Sequence, residues 1–428
     1  MNKKAVGVVG AGMAVMMGVA GCSSSSSPDS GEAGGEAVTV FHRWTAGHQE
    51  AVESVLESCS DELGIPVDIS NVPQADYEVQ LPVALSSNNP PDIYALWPGG
   101  RAVFQAENGL IAPITDFYNE KIAPTFAEGV NAGATEADGE VYVMPFNVQP
   151  AEFYYRTDAF EANGLEEPET WDEFVDVVDT LVDAGDTPIV LATGSGWEPL
   201  FWFDTLIMRT AGPEFRERLM LGEESYLDPK VVEAMEHWAE LIDAGAFNDS
   251  MTSMSWEEMV PFMVDGRADM MFMASFASNN LTTAGLVPGE DFKAFPFPTI
   301  DPDVEYATDG AMEGWATTGA RDNEEDVHAI LECFVSTPEA TAYVEDFQVP
   351  SPNVEVPETA FAEDVRPFAA GWAAMTQQGV FQQNLELSTA PAVTDVAKRE
   401  LPRFLANPDD MMMVLEELES ASQAAYSE

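Results

Sequence analysis

Val38 to Phe41 is a short apolar run, and the polar turn His42–Gln49 separates it from Glu50–Leu63, whose apolar spacing predicts a helix. A second strand is predicted at Pro66–Val72, a helix at Asp76–Ser86, and a third strand at PDIYALW, Pro91–Trp97. This strand–helix–strand order predicts an α/β unit with right-handed crossovers. A glycine turn at Asp138-Gly139-Glu140 precedes two runs read as strands, VYVMPF and EFYYR. Thr170-Trp171-Asp172-Glu173 has the spacing of a capping box and starts a helix to Ala184. PIVLAT (Pro188–Thr193) reads as a strand, Pro229–Ala244 and Trp256–Val264 as helices, and Ala268–Met273 as a strand. Phe295–Ile300 and Val349–Pro357 are proline-punctuated connectors flanking the strand Gly314–Gly319 and the helix Glu324–Ser336. From Glu358 onward the pattern is mostly helical, with Met411–Met413 expected to pack in a helix. Trp171 and Trp238 fall on apolar faces and are expected in the core.

The first residues follow a different pattern. Lys3 and Lys4 precede an uncharged run of small and apolar residues, Ala5–Gly21. That arrangement is a secretory signal rather than a spanning helix, which needs ~20 apolar residues. Val19-Ala20-Gly21-Cys22 resembles the bacterial lipobox, and five serines follow Cys22. The resemblance implies cleavage before Cys22, lipid attachment to its sulfur, and a flexible tether over 22–37. The expected location is extracytoplasmic, on a bacterial cell membrane. Removing 1–21 leaves roughly 400 residues, too many for one compact core, so two lobes are expected.

Charge narrows the partners. Seventy-five Asp and Glu against 17 Lys and Arg give a net charge of −58. A nucleic-acid binder needs a basic footprint and is excluded. The field also opposes docking on anionic lipid and the approach of a multiply charged anion, so a neutral or cationic ligand is favoured. A saline or an alkaline habitat would each suit such a surface. Cys59 and Cys333 lie in apolar helical contexts and read as free buried thiols in preference to a disulfide. His42, His48, His237 and His328 show no ligand spacing, so no metal and no cofactor are expected.

Several segments, in order, carry a family resemblance: PDIYALWPGG, GLIAPITDF, GEVYVMPFNVQPAEFYYRTDAFEANGL, EPETWDEF, GSGWEPLFWFD, FMVDGRADMMFMASF and EGWATTGARDNEEDVHAILECFVSTPEA. From Val38 to the C-terminus the chain resembles the extracellular solute-binding proteins of ABC importers, in the carbohydrate-binding class that includes maltodextrin binders. Tyr155-Arg156-Thr157-Asp158 stands where the family often has Tyr-Asn-Lys-Asp. The resemblance implies an α/β, periplasmic-binding-protein-like fold, with two lobes joined by a multi-strand hinge and a ligand cleft between them. Mapped here, lobe one is 38–148 with 308–350, and lobe two is 149–307 with 351–428. The implied partners are a small carbohydrate and the permease subunits of the importer, and a monomer is expected.

A sugar presents apolar C–H faces and a rim of hydroxyls. Hiding ~60 Å² of one face at about 25 cal/mol/Å² contributes ~1.5 kcal/mol. Two such stacks fall short of the ~8 kcal/mol of micromolar binding. Charge-assisted hydrogen bonds of ~1.5–3 kcal/mol must supply much of the rest. Loops offering both kinds of group are therefore the candidates. Arg43 and Trp44 follow the first strand, at the end where open α/β sheets bind ligands. Trp97 follows another strand, before Gly99 and Gly100. Gln149 lies at the interlobe crossing, where the family commonly places a polar contact. Trp197, Glu198, Trp202 and Asp204 match the loop that carries an acid and aromatics in maltodextrin binders. Leu200 departs from that loop's aromatic pattern, which favours a short sugar. Phe276 matches a platform aromatic, and Glu313 and Trp315 enter from the other lobe. Trp97, Trp197 and Trp315 read as cleft residues. Trp44, Trp202 and Phe276 fit cleft and core equally, and Trp256 reads as core.

Two rivals remain at this level. One keeps the fold and binds a polyamine or another non-sugar solute. The other is a secreted glycosidase, which needs two carboxylates about 5–10 Å apart. A purely structural surface lipoprotein would respond to no ligand at all.

Overall fold

The computed structural model describes residues 37–426, except 137, 320–322, 364 and 378–379. Cys22 and its flanks lie outside the described residues. Eight strands form the sheet: β1 (Val38–His42), β2 (Val67–Asn71), β3 (Ile93–Leu96), β4 (Val143–Arg156), β5 (Met270–Ala274), β6 (Phe292–Pro296), β7 (Ala307–Thr317) and β8 (Val380–Gln383). Their order is β2-β1-β3-β7-β4-β5, with β6 on β4 and β8 on β7. β1 pairs in parallel with β2 and β3, and the helices Ala46–Leu63 and Gln74–Leu85 make the two crossovers. The fold is the mixed α/β arrangement expected.

β4 departs from expectation. VYVMPF and EFYYR read as two strands, yet Val143–Arg156 is one fourteen-residue strand, buried up to Tyr155. The strand stays continuous because it changes partners. Val143–Pro150 runs antiparallel to β7, whereas Ala151–Arg156 lies between β5 and β6. Burial among partners on both flanks leaves it no solvated face, so it lacks the polar alternation that marks a boundary. β7 is shared in the same way, pairing with β8 over Ala307–Gly310 and with β3 over Ile93–Leu96.

Other expectations are corrected. Cys59 and Cys333 form a disulfide, joining the helices Ala46–Leu63 and Glu324–Phe334 with Cα atoms 5.8 Å apart. Their separation of 274 residues gave no hint of that approach. PIVLAT is not a full strand. Ile189 and Val190 donate to the carbonyls of Ala246 and Met270, but Leu191 donates to the Asn248 side chain. The C-terminal region is helical except for β8. Met411 opens its last helix packed against the core as expected, whereas Met412 and Met413 are exposed. The Thr170–Glu173 capping box is present as read, and Trp171 and Trp238 are buried.

Just past the change of partners, Glu152 is buried and accepts hydrogen bonds from Tyr154 Oη (2.7 Å) and Trp372 Nε1 (2.6 Å). The latter ties the helix Arg366–Gln377 to β4. Burial pushes this carboxyl from 4.5 up to about 7, against the smaller effect of the two donors. A raised carboxyl stabilises the fold fully below its unfolded value, and that contribution is lost as pH rises to the folded one. Chemical denaturation should show Glu152→Gln gaining on the wild type between pH 4.5 and 7, by on the order of 3 kcal/mol. Parallel pH profiles for the two proteins would exclude the effect.

Candidate functional site

The first group of candidate residues gathers at the C-terminal ends of β1 and β3. Arg43 is buried and donates to Glu313 of β7, and Trp44 Nε1 donates to the same carboxylate at 3.1 Å. The Arg43 guanidinium lies 3.6 Å from the centroid of Trp97, which occupies one face of that ring. Arg43 Nη1 is buried with no partner, so the cluster retains a donor. Trp315, two residues deeper along β7 and opposite Ala95, has no exposed surface. It packs edge-on to Trp44 at 4.9 Å and stacks with Phe146 at 5.6 Å. The strand's two-residue period puts Glu313 and Trp315 on one face, but only Glu313 lies near the strand ends. Trp315 is therefore a floor beneath the cluster rather than a cleft residue.

The second group is aromatic. Trp197, Trp256 and Phe276 stand partly exposed, with ring centroids 5.1–6.4 Å apart. Trp256 joins them while also packing against the core. Ser255 and Glu258 form a capping box that starts the helix Trp256–Val264, and so hold the ring at a helix entrance. That Ser-Trp-Glu-Glu spacing is a signal the sequence reading passed over. Glu198, next to Trp197, opens the helix Glu198–Ala211 and has no exposed surface. Its oxygens find no aligned donor although Ser195 is beside it, and burial pushes the carboxyl up to about 7.

Trp202 and Asp204 turn elsewhere. Trp202 lies about 140° around the helix from the Trp197 end, at 100° per residue. It is wholly buried, stacked with Trp238 at 6.1 Å and edge-on to Phe272 at 5.3 Å. Asp204 accepts two bonds from Arg216, Nε at 2.7 Å and Nη2 at 2.6 Å, and one from the Leu385 N–H. Arg216 also donates to the Gln383 carbonyl at 2.7 Å. Asp204 is thus spent on clasping the segment 383–388. Arg216 escaped the sequence reading, since a lone arginine in a helix carries no pattern. Gln149 is buried on β4, donating to Asn147 at 3.2 Å, which donates to Tyr343 at 2.8 Å.

The segment 383–398 runs between the two groups. Gly99, at φ 106°, brings its loop so close that a Cβ there would sit 2.6 Å from the Leu387 carbonyl oxygen. Gly196, at φ 80°, makes the same approach to the Lys398 carbonyl at 2.7 Å. Glu386 meets Lys398 at 2.6 Å and Arg101 at 3.9 Å, and Arg101 lies 5.3 Å from the Trp97 ring. A cavity of about 960 Å³ adjoins this segment, lined by Gly99, Gly100, Tyr142, Arg216, Ser388 and Tyr426 among others. None of the three aromatic rings of the second group lines it. Among the described residues no three His, Cys, Asp or Glu side chains converge as a metal cluster.

A family model described as bacterial extracellular solute-binding protein matches residues 59–342. The chain belongs to that family. An ABC transporter extracellular-binding protein of Pyrococcus horikoshii is 22% identical over 60% of each chain, so this chain spans less than two thirds of that relative. The α-glucosides-binding periplasmic protein AglE of Rhizobium meliloti is 22% identical over 76% of this chain and 72% of its own. Among solved structures, the bacterial solute receptor AcbH, described as preferring β-D-galactopyranose, superposes with a TM-score of 0.80. That match has 20% identity and covers 91% of this chain and 98% of the receptor. Trp197, Trp256 and Phe276 are the partly exposed aromatic candidates for stacking on a solute. Trp197→Ala should weaken solute binding at least ~10-fold, or roughly 1.4 kcal/mol. The unfolding midpoint should barely move, and calorimetric titration beside a melt separates the two. Unchanged affinity would return Trp197 to a packing role.

Proposed function

We propose that this protein is the extracytoplasmic substrate-binding component of an ABC importer, which captures a neutral mono- or short oligosaccharide between two closing lobes and delivers it to a membrane permease. The observation that carries this reading is the pairing of partly exposed aromatic rings at Trp197, Trp256 and Phe276 with the charged cluster of Arg43, Trp97 and Glu313, along one shared segment. Aromatic planes match sugar C–H faces, and the ionised groups match hydroxyls. Arg43 and Glu313 already neutralise each other, so the cluster offers no net charge to attract an ion. That favours a neutral solute over a polyamine. The family's relatives are binding proteins, in keeping with capture without turnover.

The lobes are 38–148 with 308–350, and 149–307 with 351–428. Two facts support this division: β4 changes partners at Pro150/Ala151, and the Cys59–Cys333 disulfide falls within the first lobe. The disulfide also suits an oxidising, extracytoplasmic compartment. Cys22 carries the lipid, the serine-rich segment is the leash, and the protein works as a monomer. Anchoring raises its effective concentration at the permease.

Thermal melts against a panel test the assignment: β-D-galactopyranose, short α-glucosides, longer maltodextrins and a polyamine. A ligand at 100 times its Kd adds about 2.7 kcal/mol of stability. One of the shorter sugars should raise the midpoint and be recovered unchanged. A shift with the polyamine alone would refute the sugar, and a hydrolysed product would refute the binding role.

A further inference from the structure

The most demanding buried group lies where β7 meets β8, beside the Asp204–Arg216 clasp. Asp309 is 1% exposed, and neither of its oxygens accepts an aligned hydrogen bond, although the adjacent Gly310 N–H is close. The parallel register sets Asp309 beside Gln382, and the ladder continues with the Asn384 N–H donating to the Gly310 carbonyl at 2.9 Å. Gln382 and Asn384, two residues apart, share the face that Asp309 occupies. Both are more than nine-tenths buried, and Gln382 Oε1 and Asn384 Oδ1 likewise lack partners. The Gln382 amide nitrogen is committed to the Pro213 carbonyl at 3.1 Å, which fixes its oxygen as the free atom.

Four unpartnered oxygens at one strand junction, all of them acceptors, call for a donor or a positive charge. The nearby Arg216 does not supply it. Its Nε and Nη2 are engaged with Asp204, Nη2 also with Gln383, and Nη1 with Ser388 at 3.2 Å. Burial, with Asp204 adding to it and Arg216 opposing, pushes the Asp309 carboxyl well above its ordinary range, so a cation bound there takes the place of its proton. We propose that Asp309, Gln382 and Asn384 hold a monovalent alkali cation that fastens β8 to β7 at the shared stretch of the sheet. One carboxylate with neutral amide oxygens suits a singly charged hard cation, whereas a divalent ion would leave excess positive charge without further carboxylates. The site is independent of the sugar reading and stands even if that reading fails.

Two measurements on the full protein test it. Thermal unfolding is compared in sodium, potassium and choline chloride at one ionic strength and pH, which holds constant the screening of the −58 charge. The alkali salts should raise the midpoint by several degrees over choline. In Asp309→Asn that difference should vanish while the general salt response remains. Crystals soaked in thallium(I) should show anomalous density within bonding distance of the Asp309 carboxylate and the two amide oxygens. No density there, equal midpoints in alkali and choline salts, or a cation preference that survives in Asp309→Asn would each overturn the site. Those results would leave ordered water or a protonated carboxyl as what satisfies the oxygens.

Discussion

One strand serving two sets of partners is the constraint on which the rest of this structure depends. β4 gives its first half to β7 and its second half to β5 and β6, and both halves are buried. A change of partners in mid-strand keeps the ladder going on both sides of the switch while joining two sets of strands through continuous chain. β7 repeats the device between β8 and β3. Gln149 and Glu152 sit on either side of the exchange and bind to different networks, one reaching Tyr343 and the other Trp372. The candidate residues follow from this geometry, because strand ends and helix starts from both assemblies meet along the segment 383–398.

Scarce cations do selective work in so acidic a chain. With 17 Lys and Arg against 75 acids, most carboxylates have no cationic partner and must lie in solvent. Arg43 and Arg216 are nonetheless buried, each with a dedicated carboxylate. Removing one partner of such a pair strands a charge, which typically costs several kcal/mol. Arg43 gathers Glu313 and Trp97 into one cluster. Arg216 holds the segment that passes between the two groups. The two pairs therefore fix the shape of the site more than the affinity of any one contact.

Much of this was legible in the chain and some was not. The strand–helix–strand start and the Thr170 capping box followed from local patterns, since period and cap chemistry are local facts. Arg43 and Trp197 stood out as candidates because each lies beside a strand end or a helix start, and Glu313 through the family resemblance. Trp202 and Trp315 misled because an aromatic beside a loop and one turned inward look alike until the helix phase or strand depth is known. The Cys59–Cys333 bond, the Asp204–Arg216 clasp and the unbroken β4 depend on approaches between residues far apart in sequence, and no local pattern encodes them.

The central claim is that the solute lies between two assemblies hinged at β4 and β7 and that they close upon it. Small-angle X-ray scattering of the protein, alone and saturated with the sugar that raises its melting temperature, tests this most directly. The account predicts a smaller radius of gyration with the sugar bound, and a weaker response in Trp197→Ala at the same sugar concentration. A radius that stays the same while calorimetry shows the site filled would contradict it.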